Sequence, residues 1–237
     1  MDMDIRSFDI PRYLSTLPLF QDTVPAALER VASGCQLRRL SRGEDVFCMG
    51  QPCDEMHVTV TGLVKLFGLS PAGHEKVIEL CGPGQSFAEA LMFMGRPYII
   101  NAQTLADSLV LSVGKGAVVS EIERDARFAM HMLSGISRRL HGLVQDVQAY
   151  ALNSGMQRVI GYLLQGAAGD ESDEVVVATG PLLVALPASK ATIASRLSIT
   201  PEYFSRVLHE LEANGLIEID KRDIRIPDPE RLARHQP

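Results

Sequence analysis

The segment "SKATIASRLSITPEYFSRVLHELEANG", residues 189–215, decides how the C-terminal part of the chain folds. Ser189 is a good N-cap for a short helix, and Thr200 followed by Pro201 is typical of the start of a second one. The dipeptide Asn214–Gly215 is a stop signal for that second helix. Only the turn "SIT" separates the two, so the segment predicts two short helices joined by three residues.

Each of the two predicted helices has one apolar face. The apolar residues are Ile193, Ala194 and Leu197 in the first helix, and Phe204, Val207, Leu208 and Leu211 in the second. Beyond the second helix, the runs "LIEI" and "IRIP" flank "DKRD", which predicts a β-hairpin. Two packed helices followed by a hairpin are typical of a winged helix–turn–helix, which binds DNA through its second helix.

The polar face of the second helix carries side chains that recognise bases. Glu202 and Arg206 are four residues apart and therefore share a face. Arginine bonds O6 and N7 of guanine, glutamate accepts from N4 of cytosine, and serine bonds a base edge or a phosphate. The alternative is a surface Glu–Arg pair without a function, but the caps, the turn and the hairpin favour DNA reading. The candidate DNA-binding residues are Ser189, Lys190, Thr200, Glu202, Ser205, Arg206 and His209.

The whole chain is acidic, with 29 Asp and Glu residues against 23 Lys and Arg and a formal charge of −6. Net charge bears on solubility and does not choose the partner. Residues 186–209 contain three basic residues and one acidic residue, and Lys221 and Arg222 lie on the hairpin. The acidic run "DESDE", residues 170–174, lies elsewhere in the sequence. We therefore expect a local basic surface whose affinity for DNA falls steeply with salt.

Residues from about 35 to 120 have a different pattern. Glycine or proline recurs between short β-rich runs such as "MHVTVTGLVKLFGL", "EKVIELC" and "DSLVLSV". Short strands at spacings of roughly 8–12 residues are typical of a β-sandwich, jelly roll or barrel. We therefore predict an α+β chain, with a β-rich domain over residues 1–120 and a DNA-binding domain over residues 153–237.

The residues between these domains, 121–152, predict a long helix. They carry a heptad seam of apolar side chains with spacings of 3, 4, 3, 4 and 3. Such a seam lies along the β-domain of its own chain, pairs with a second copy, or does both. We predict a parallel helix pair in a homodimer. The seam residues are Leu133, Ile136, Leu140, Leu143, Val147 and Tyr150.

With these features together, the whole chain resembles the Crp/Fnr superfamily of bacterial transcription regulators. The resemblance implies a β-roll of the cyclic-nucleotide-binding type, which is a jelly roll, followed by a long dimerisation helix and a C-terminal winged helix. It also implies a DNA-binding homodimer that contacts RNA polymerase. The N-terminal "MDMDIRSFDIPRY" has no apolar signal core, and no apolar run approaches the ~18 residues of a membrane span. We expect a cytoplasmic protein without membrane association.

The recognition helix resembles the Fnr branch in particular. The E-x-x-S-R pattern of that branch falls on Glu202, Ser205 and Arg206, whereas the cyclic-AMP receptor branch would have glycine in place of Ser205. The resemblance implies a palindrome of the TTGAT-N4-ATCAA type. In it, Arg206 reads the guanine, Glu202 the paired cytosine and Ser205 a neighbouring thymine. Half-sites one helical turn apart fit a two-fold dimer.

The segment "SFAEALMFMGRPYIINAQ", residues 86–103, aligns with the phosphate-binding cassette of cyclic-nucleotide-binding members. Glu89 matches the glutamate that holds the ribose hydroxyl. The Arg-Ser pair that holds the cyclic phosphate falls on Ile99 and Ile100, which offer neither charge nor hydrogen bonds. We therefore expect no binding of cyclic AMP.

The placement of the cysteines gives little support to a zinc or iron–sulfur site. The four cysteines, Cys35, Cys48, Cys53 and Cys81, form no CxxC pair, and none precedes Cys35. We therefore expect no iron–sulfur cluster of the kind found in oxygen-sensing Fnr proteins.

The run "FAEALMFMGRPY" resembles the Dnr/Nnr branch, the nitric-oxide-responsive regulators of denitrification. That resemblance implies haem b as the sensor of nitric oxide, in an apolar pocket between β-roll and long helix. The candidate pocket residues are Glu89, Met92, Phe93, Ile99 and Leu133. The candidate iron ligands are His57, His74, His131, His141 and Cys81.

Two other functions compete with this hypothesis. One is a regulator of the same type that needs no effector. The other is a cupin-like metalloenzyme, because jelly rolls often hold metals. A cupin requires an H-x-H pair, which this chain lacks, and no Ser–His–Asp, phosphate-loop or paired-carboxylate motif is present. We therefore predict a regulator and not an enzyme.

Overall fold

The computed structural model describes residues 7–21, 23–168 and 180–235, so the acidic run at 170–174 lies outside the described residues. The chain divides into two compact units, Met1–Leu143 and Val144–Pro237. No helix within the described ranges is long and apolar enough to cross a lipid bilayer.

The first unit is built on two four-stranded antiparallel sheets. Its strands are β1 (Cys35–Leu40), β2 (Asp45–Phe47), β3 (Glu55–Thr61), β4 (Val64–Leu69), β5 (Glu75–Cys81), β6 (Ser86–Phe87), β7 (Asn101–Thr104) and β8 (Ser108–Gly114). The strand orders are β1-β8-β3-β6 and β2-β7-β4-β5. Neighbouring strands are often distant in sequence, as in β1 and β8, where Cys35 pairs with Val113. The predicted β-roll is therefore confirmed.

The core of this unit lies between the two sheets. The inner strands β3 and β8 are buried along nearly their whole lengths. The turn between β3 and β4 requires glycine, because Gly62 has a φ of 87° and a Cβ there would lie 2.2 Å from Ser108 Oγ. This turn holds β4 of one sheet close to the start of β8 in the other.

Short helices flank the sheets: α1 (Ile10–Leu14), a 3-10 turn (Pro18–Phe20), α2 (Pro25–Ala32), α3 (Glu89–Met94) and α4 (Lys115–Arg124). Arg30 joins α2 to α4, because its guanidinium donates hydrogen bonds of 2.7 and 2.6 Å to the buried carboxylate of Glu121. These bonds hold the pKa of the Glu121 carboxyl below its usual range.

The helix predicted over residues 121–152 begins at Ala126 as α5 (Ala126–Leu152), one residue after α4 ends. Asp125 separates the two helices with an extended backbone (φ −138°, ψ 108°). Its carboxylate accepts a 2.9 Å hydrogen bond from the backbone N–H of Arg127. Aspartate favours helix starts for this reason. Phe128 and Met132 near the start of α5 are buried in the core of the first unit.

The second unit contains α6 (Gly155–Ala168), β9 (Leu182–Ala185), α7 (Lys190–Arg196), α8 (Pro201–Ala213), β10 (Glu218–Asp220), β11 (Asp223–Ile226) and α9 (Pro229–Ala233). Strands β10 and β11 form the predicted hairpin, with Asp220 paired to Asp223 around the loop of Lys221 and Arg222. Strand β9 extends it to a three-stranded sheet. The predicted winged helix–turn–helix is confirmed.

Candidate nucleic-acid interface and sensor site

Helices α7 and α8 start at the residues that the sequence predicts. Ser189 Oγ accepts a 3.1 Å hydrogen bond from the backbone N–H of Thr192, and Thr200 Oγ1 accepts one of 3.2 Å from Tyr203. The apolar side chains of both helices are buried, among them Phe204. Ser189 and Thr200 thus serve first as caps that fix the two helices of the motif.

The polar side chains of α8 lie on its solvent face. Glu202, Arg206 and His209 are exposed, and Ser205 is partly exposed. Because the opposite face is buried, all four are presented together. Lys190 is partly exposed in the first turn of α7. The candidate DNA-binding residues therefore lie on the two capped helices, with the candidate base-reading residues on α8.

Arg206 does not form the surface ion pair with Glu202 that was the alternative reading of this helix. Its guanidinium carbon lies 4.8 Å from the centroid of the Tyr203 ring, and no carboxylate of the described residues lies within ion-pair distance. The hydrogen-bond donors of Arg206 and the carboxylate of Glu202 thus remain available to a ligand on the same helix face.

Tyr203 is itself held by the start of α6. A Cβ built on Gly155 would lie 2.6 Å from Tyr203 Cε1, so the tyrosine ring rests directly on the glycine backbone. A reciprocal cap fixes this end of α6, because Ser154 N–H donates to Gln157 Oε1 at 2.8 Å and Gln157 N–H donates to Ser154 Oγ at 3.2 Å. Arg206 therefore stacks on a ring that has a rigid support.

Arg196 corrects the charge argument drawn from the sequence. It counts as one of three basic residues in 186–209, but its Nη2 lies 2.7 Å from Asp146 Oδ2 on α5. The Tyr150 hydroxyl donates a 2.6 Å hydrogen bond to the Arg196 carbonyl, and Arg196 Nη1 also contacts that hydroxyl. Arg196 thus joins α5 to α7 and adds little to the charge that DNA meets.

A second arginine links α5 to the turn of the motif. Arg158 of α6 donates to the carbonyls of Tyr150 (3.4 Å) and Asn153 (3.2 Å) through Nη1, and to that of Ser198 (3.4 Å) through Nη2. Ser198 lies in the turn between α7 and α8 with a φ of 56°, a conformation that non-glycine residues rarely adopt. Arg158 therefore satisfies carbonyls at a helix end and in a strained turn.

In the first unit, the buried carboxylate of Glu89 forms an ionic cluster with the partly buried Arg139 of α5. Arg139 Nη1 lies 3.2 Å from Glu89 Oε1, and its Nη2 lies 2.5 Å from Glu79 Oε2. Arg139 Nη1 also contacts the carbonyl of Ser86. The other carboxylate oxygen of Glu89 is buried and has no hydrogen-bond partner in the described part of the chain. Arg139 thus occupies the space that faces Glu89.

Both halves of the chain match known domains. Residues 157–235 match the Crp-like helix-turn-helix domain, and residues 37–125 match the cyclic nucleotide-binding domain. The chain is 31% identical to DNR from Pseudomonas aeruginosa, covering 98% of each chain with a TM-score of 0.51. The chain belongs to the Crp/Fnr family. It is also 26% identical over 221 residues to the CRP-like cAMP-activated global transcriptional regulator of Mycobacterium tuberculosis, covering 93% of this chain and 97% of that protein.

FixK2 from Bradyrhizobium japonicum has the same fold, with a TM-score of 0.71 at 22% identity, covering 84% of this chain and 95% of its own. The Crp/Fnr chain described here is therefore a DNA-binding transcription regulator and not an enzyme, as predicted. The cupin-like alternative is wrong, because the matched relatives are regulators. No cluster of three or more His, Cys, Asp or Glu side chains suited to a metal ion occurs in the described ranges.

The five candidate pocket residues of this Crp/Fnr regulator differ in burial. Glu89 and Met92 are buried and Phe93 is partly buried. Ile99 and Leu133 are 63% and 55% exposed. The buried candidates are thus Glu89 and Met92, and Glu89 is bonded to the partly buried Arg139, which the sequence did not indicate.

Most of the candidate iron ligands are otherwise engaged or lie at the surface. His57 is buried, with Nδ1 3.0 Å from Ser112 Oγ and Nε2 3.0 Å from Tyr98 Oη. Burial raises the pKa of the Cys81 thiol well above its ordinary value, which disfavours the thiolate that binds iron. His74 and His141 are exposed.

His131 differs from these candidates. It lies near the start of α5, and its Nδ1 is buried without a hydrogen-bond partner in the described part of the chain. An unpartnered buried ring nitrogen is unusual. Of the residues considered for haem, His131 therefore has a buried ring nitrogen that no group within the described ranges uses.

The seam residues of α5 also differ in how exposed their side chains are. Leu133, Leu140 and Leu143 in the first unit and Val147 in the second are exposed, and Ile136 is partly buried. Tyr150 instead gives its hydroxyl to the carbonyl of Arg196. The exposed leucines and valine are apolar surface that a second chain would cover.

Sequence reasoning missed four residues of these sites: Gly155, Tyr203, Asp146 and Arg139. Tyr203 stood inside the E-x-x-S-R pattern at a variable position, and its aromatic character was the available signal. The other three gave no local signal, because each acts through a partner at least 48 residues away in sequence.

Proposed function

We propose that this Crp/Fnr regulator binds a TTGAT-N4-ATCAA-like palindrome as a homodimer and reads each half-site with Glu202, Ser205 and Arg206. The observation that carries the proposal is the face of α8, where these three side chains are presented by a capped helix and Arg206 is not paired with Glu202. A base-reading arginine needs both donors of its guanidinium edge open.

The homodimer in this proposal uses α5. Leu133, Leu140, Leu143 and Val147 repeat at heptad spacing and are exposed in the single chain. Pairing of two copies removes this apolar surface from water and gives the two-fold symmetry that a palindrome requires. As a transcription regulator bound near a promoter, the dimer would contact RNA polymerase.

The DNA part is tested by fluorescence anisotropy with a labelled duplex that carries the palindrome. We expect binding at least about a thousandfold tighter than to a scrambled duplex of equal length and composition at the same salt. A duplex with one half-site intact should lie between the two. Equal affinity for palindrome and scrambled DNA would contradict the proposal.

We further propose nitric oxide, acting through haem b, as the effector. The resemblance of residues 87–98 to the Dnr/Nnr branch and the unpartnered ring nitrogen of His131 support this proposal. Haem would supply an iron that binds nitric oxide, and His131 is the residue of this chain that we expect to hold it. We propose that nitric oxide bound in the first unit alters the position of α5. The C-terminal end of that helix contributes Asp146 and Tyr150 to the DNA-binding unit.

An absorption spectrum of the purified regulator with haem tests the effector. We expect a Soret band that shifts when nitric oxide is added, and that changes position in His131→Ala but not in His74→Ala. His74 is the matched control because it is exposed. A spectrum identical to that of free haem, with DNA binding intact, would favour the alternative of an effector-independent regulator.

Cyclic AMP is not the effector in this proposal. Glu89, which resembles the ribose-binding glutamate, is paired with Arg139, and isoleucine occupies both positions of the phosphate-binding pair. Isothermal titration with cyclic AMP should therefore give no heat of binding. Because the related regulator of Mycobacterium tuberculosis is cAMP-activated, that protein is the positive control.

A further inference from the structure

We infer that Tyr203 is a positioning residue for base recognition, which it serves by holding the guanidinium of Arg206. The inference rests on the proposed function of Arg206 and names the residue that prepares it. Tyr203 lies one helical turn before Arg206 on α8, and the guanidinium carbon is 4.8 Å from the ring centroid. This distance is within the range of cation–π contacts.

The stack matters because Arg206 has no other partner among the residues that the structure describes. Its side chain is exposed, and the contact with Tyr203 is the interaction that the structure gives it. An unrestrained arginine loses rotamer freedom when it binds a base. A ring that limits this freedom before DNA arrives lowers that cost, which improves both affinity and discrimination.

The support beneath the ring makes Tyr203 more than a neighbour in sequence. Cε1, Cζ and the hydroxyl of the ring would lie 2.6, 3.0 and 3.1 Å from a Cβ at residue 155. Only glycine allows this approach, and the cap formed by Ser154 and Gln157 fixes the backbone there. Gly155 at the start of α6 thus contacts the Tyr203 ring, and that ring contacts the guanidinium of Arg206.

The test measures discrimination at one base pair. Dissociation constants are measured on the palindrome and on a duplex in which the guanine of each half-site is replaced by adenine. The discrimination ratio is the dissociation constant for the substituted duplex divided by that for the palindrome. We expect Tyr203→Leu to lower this ratio about two- to fivefold per half-site, as expected for an exposed cation–π contact. Tyr203→Phe retains the ring and should keep the wild-type ratio.

A double-variant cycle separates positioning from a merely structural role. In the Arg206→Ala background, Tyr203→Leu should change neither the ratio nor the affinity, because the side chain that it positions is gone. A Tyr203→Leu variant that weakens both duplexes equally, or that weakens binding as much in the Arg206→Ala background, would overturn the inference. Equal binding of both duplexes by the wild type would instead refute the role proposed for Arg206.

Gly155→Ala provides a second test of the role of Tyr203 and leaves the sequence of α8 unchanged. The added methyl group must displace the Tyr203 ring, so this variant should also lower the ratio. It should have no further effect on the ratio when combined with Tyr203→Leu. A wild-type ratio in Gly155→Ala, with the protein folded by circular dichroism, would show that the position of the ring is unimportant and would contradict the inference.

Discussion

Arg139 reaches from α5 to the buried carboxylate of Glu89, with 3.2 Å between Nη1 and Oε1. The same guanidinium bonds Glu79, so one cation neutralises two carboxylates. Removal of one partner from a buried ionic group leaves uncompensated charge, which costs more than the pair contributes. Arg139 is therefore the residue on which this cluster depends.

We predict that Arg139→Met lowers the free energy of unfolding by on the order of 3 kcal/mol. Urea denaturation at fixed protein concentration measures it, because dimer stability depends on concentration. The triple variant with Glu79→Gln and Glu89→Gln should recover much of the loss. The control is Arg127→Met, since Arg127 pairs with Asp125 at the surface, and it should change stability little. Equal stability of wild type and Arg139→Met would refute the prediction.

We predict that Arg206→Ala relaxes selection at the guanine of the half-site by about 1–3 kcal/mol. The loss should appear at that base pair and leave selection at the outer thymines intact. A library of palindromes with each position randomised, sorted by binding, measures it. Glu210→Ala is the control, because Glu210 is exposed on the same helix but outside the reading set. Uniform loss across all positions would indicate a phosphate contact instead.

We predict that Lys190 contributes to the affinity for DNA independently of the base sequence. It is partly exposed in the first turn of α7, where we expect its ammonium group to contact a DNA phosphate. Lys190→Ala should weaken binding to palindromic and scrambled DNA alike, and should lower the slope of log affinity against log salt by about 1 per protomer. A titration from low to high potassium chloride gives this slope. Lys115→Ala, in the sensor unit, should leave the slope unchanged.

The buried imidazole of His57 makes stability depend on pH. Burial, aided by Arg38, lowers its pKa to about 3, although the Glu55 carboxylate lies 3.9 Å from Nε2. Because the unfolded chain takes up this proton near pH 6.5 and the folded chain does not, the stabilisation is complete above pH 6.5. It is lost as the pH falls toward 3, by at most about 1.4 kcal/mol per pH unit.

Urea unfolding at pH 7.5, 6.0 and 5.0 tests this dependence. His57→Gln should flatten the decline between pH 6.5 and 5, whereas His74→Gln should retain it because His74 is exposed. The chosen window lies above the usual range of carboxyl groups. A decline of the same steepness in His57→Gln would assign it to other groups.

The DNA-binding motif was predictable because its signals are local. Ser189, Thr200 and Pro201 act on the backbone within three residues, and apolar side chains at helical spacing define the buried faces. The hairpin followed from alternating apolar residues around a short polar loop. The strand pairing of the β-roll, by contrast, was predictable as a class but not as a register, since β1 pairs with β8 across the whole domain.

The contacts that position the site were not predictable in the same way. Arg196 has the same charge whether it faces DNA or Asp146, and these two residues are 50 positions apart. Asp125 follows α4, and its carboxylate caps the start of α5 by accepting a bond from the Arg127 N–H, which an apolar periodicity cannot show. His57 was a possible iron ligand in sequence, and only its partners Ser112 and Tyr98 reveal a buried, fully bonded ring.

The contacts of Asp146 and Tyr150 with Arg196 bear on how this regulator can be dissected. A DNA-binding fragment cut at the end of α5, starting at residue 153, would discard both partners and with them the bonds that join Arg196 to α5. The loss of Tyr150 would also remove a backbone carbonyl to which Arg158 donates a hydrogen bond. A fragment that starts at Val144 keeps these bonds, so an isolated DNA-binding domain should include the last two turns of α5.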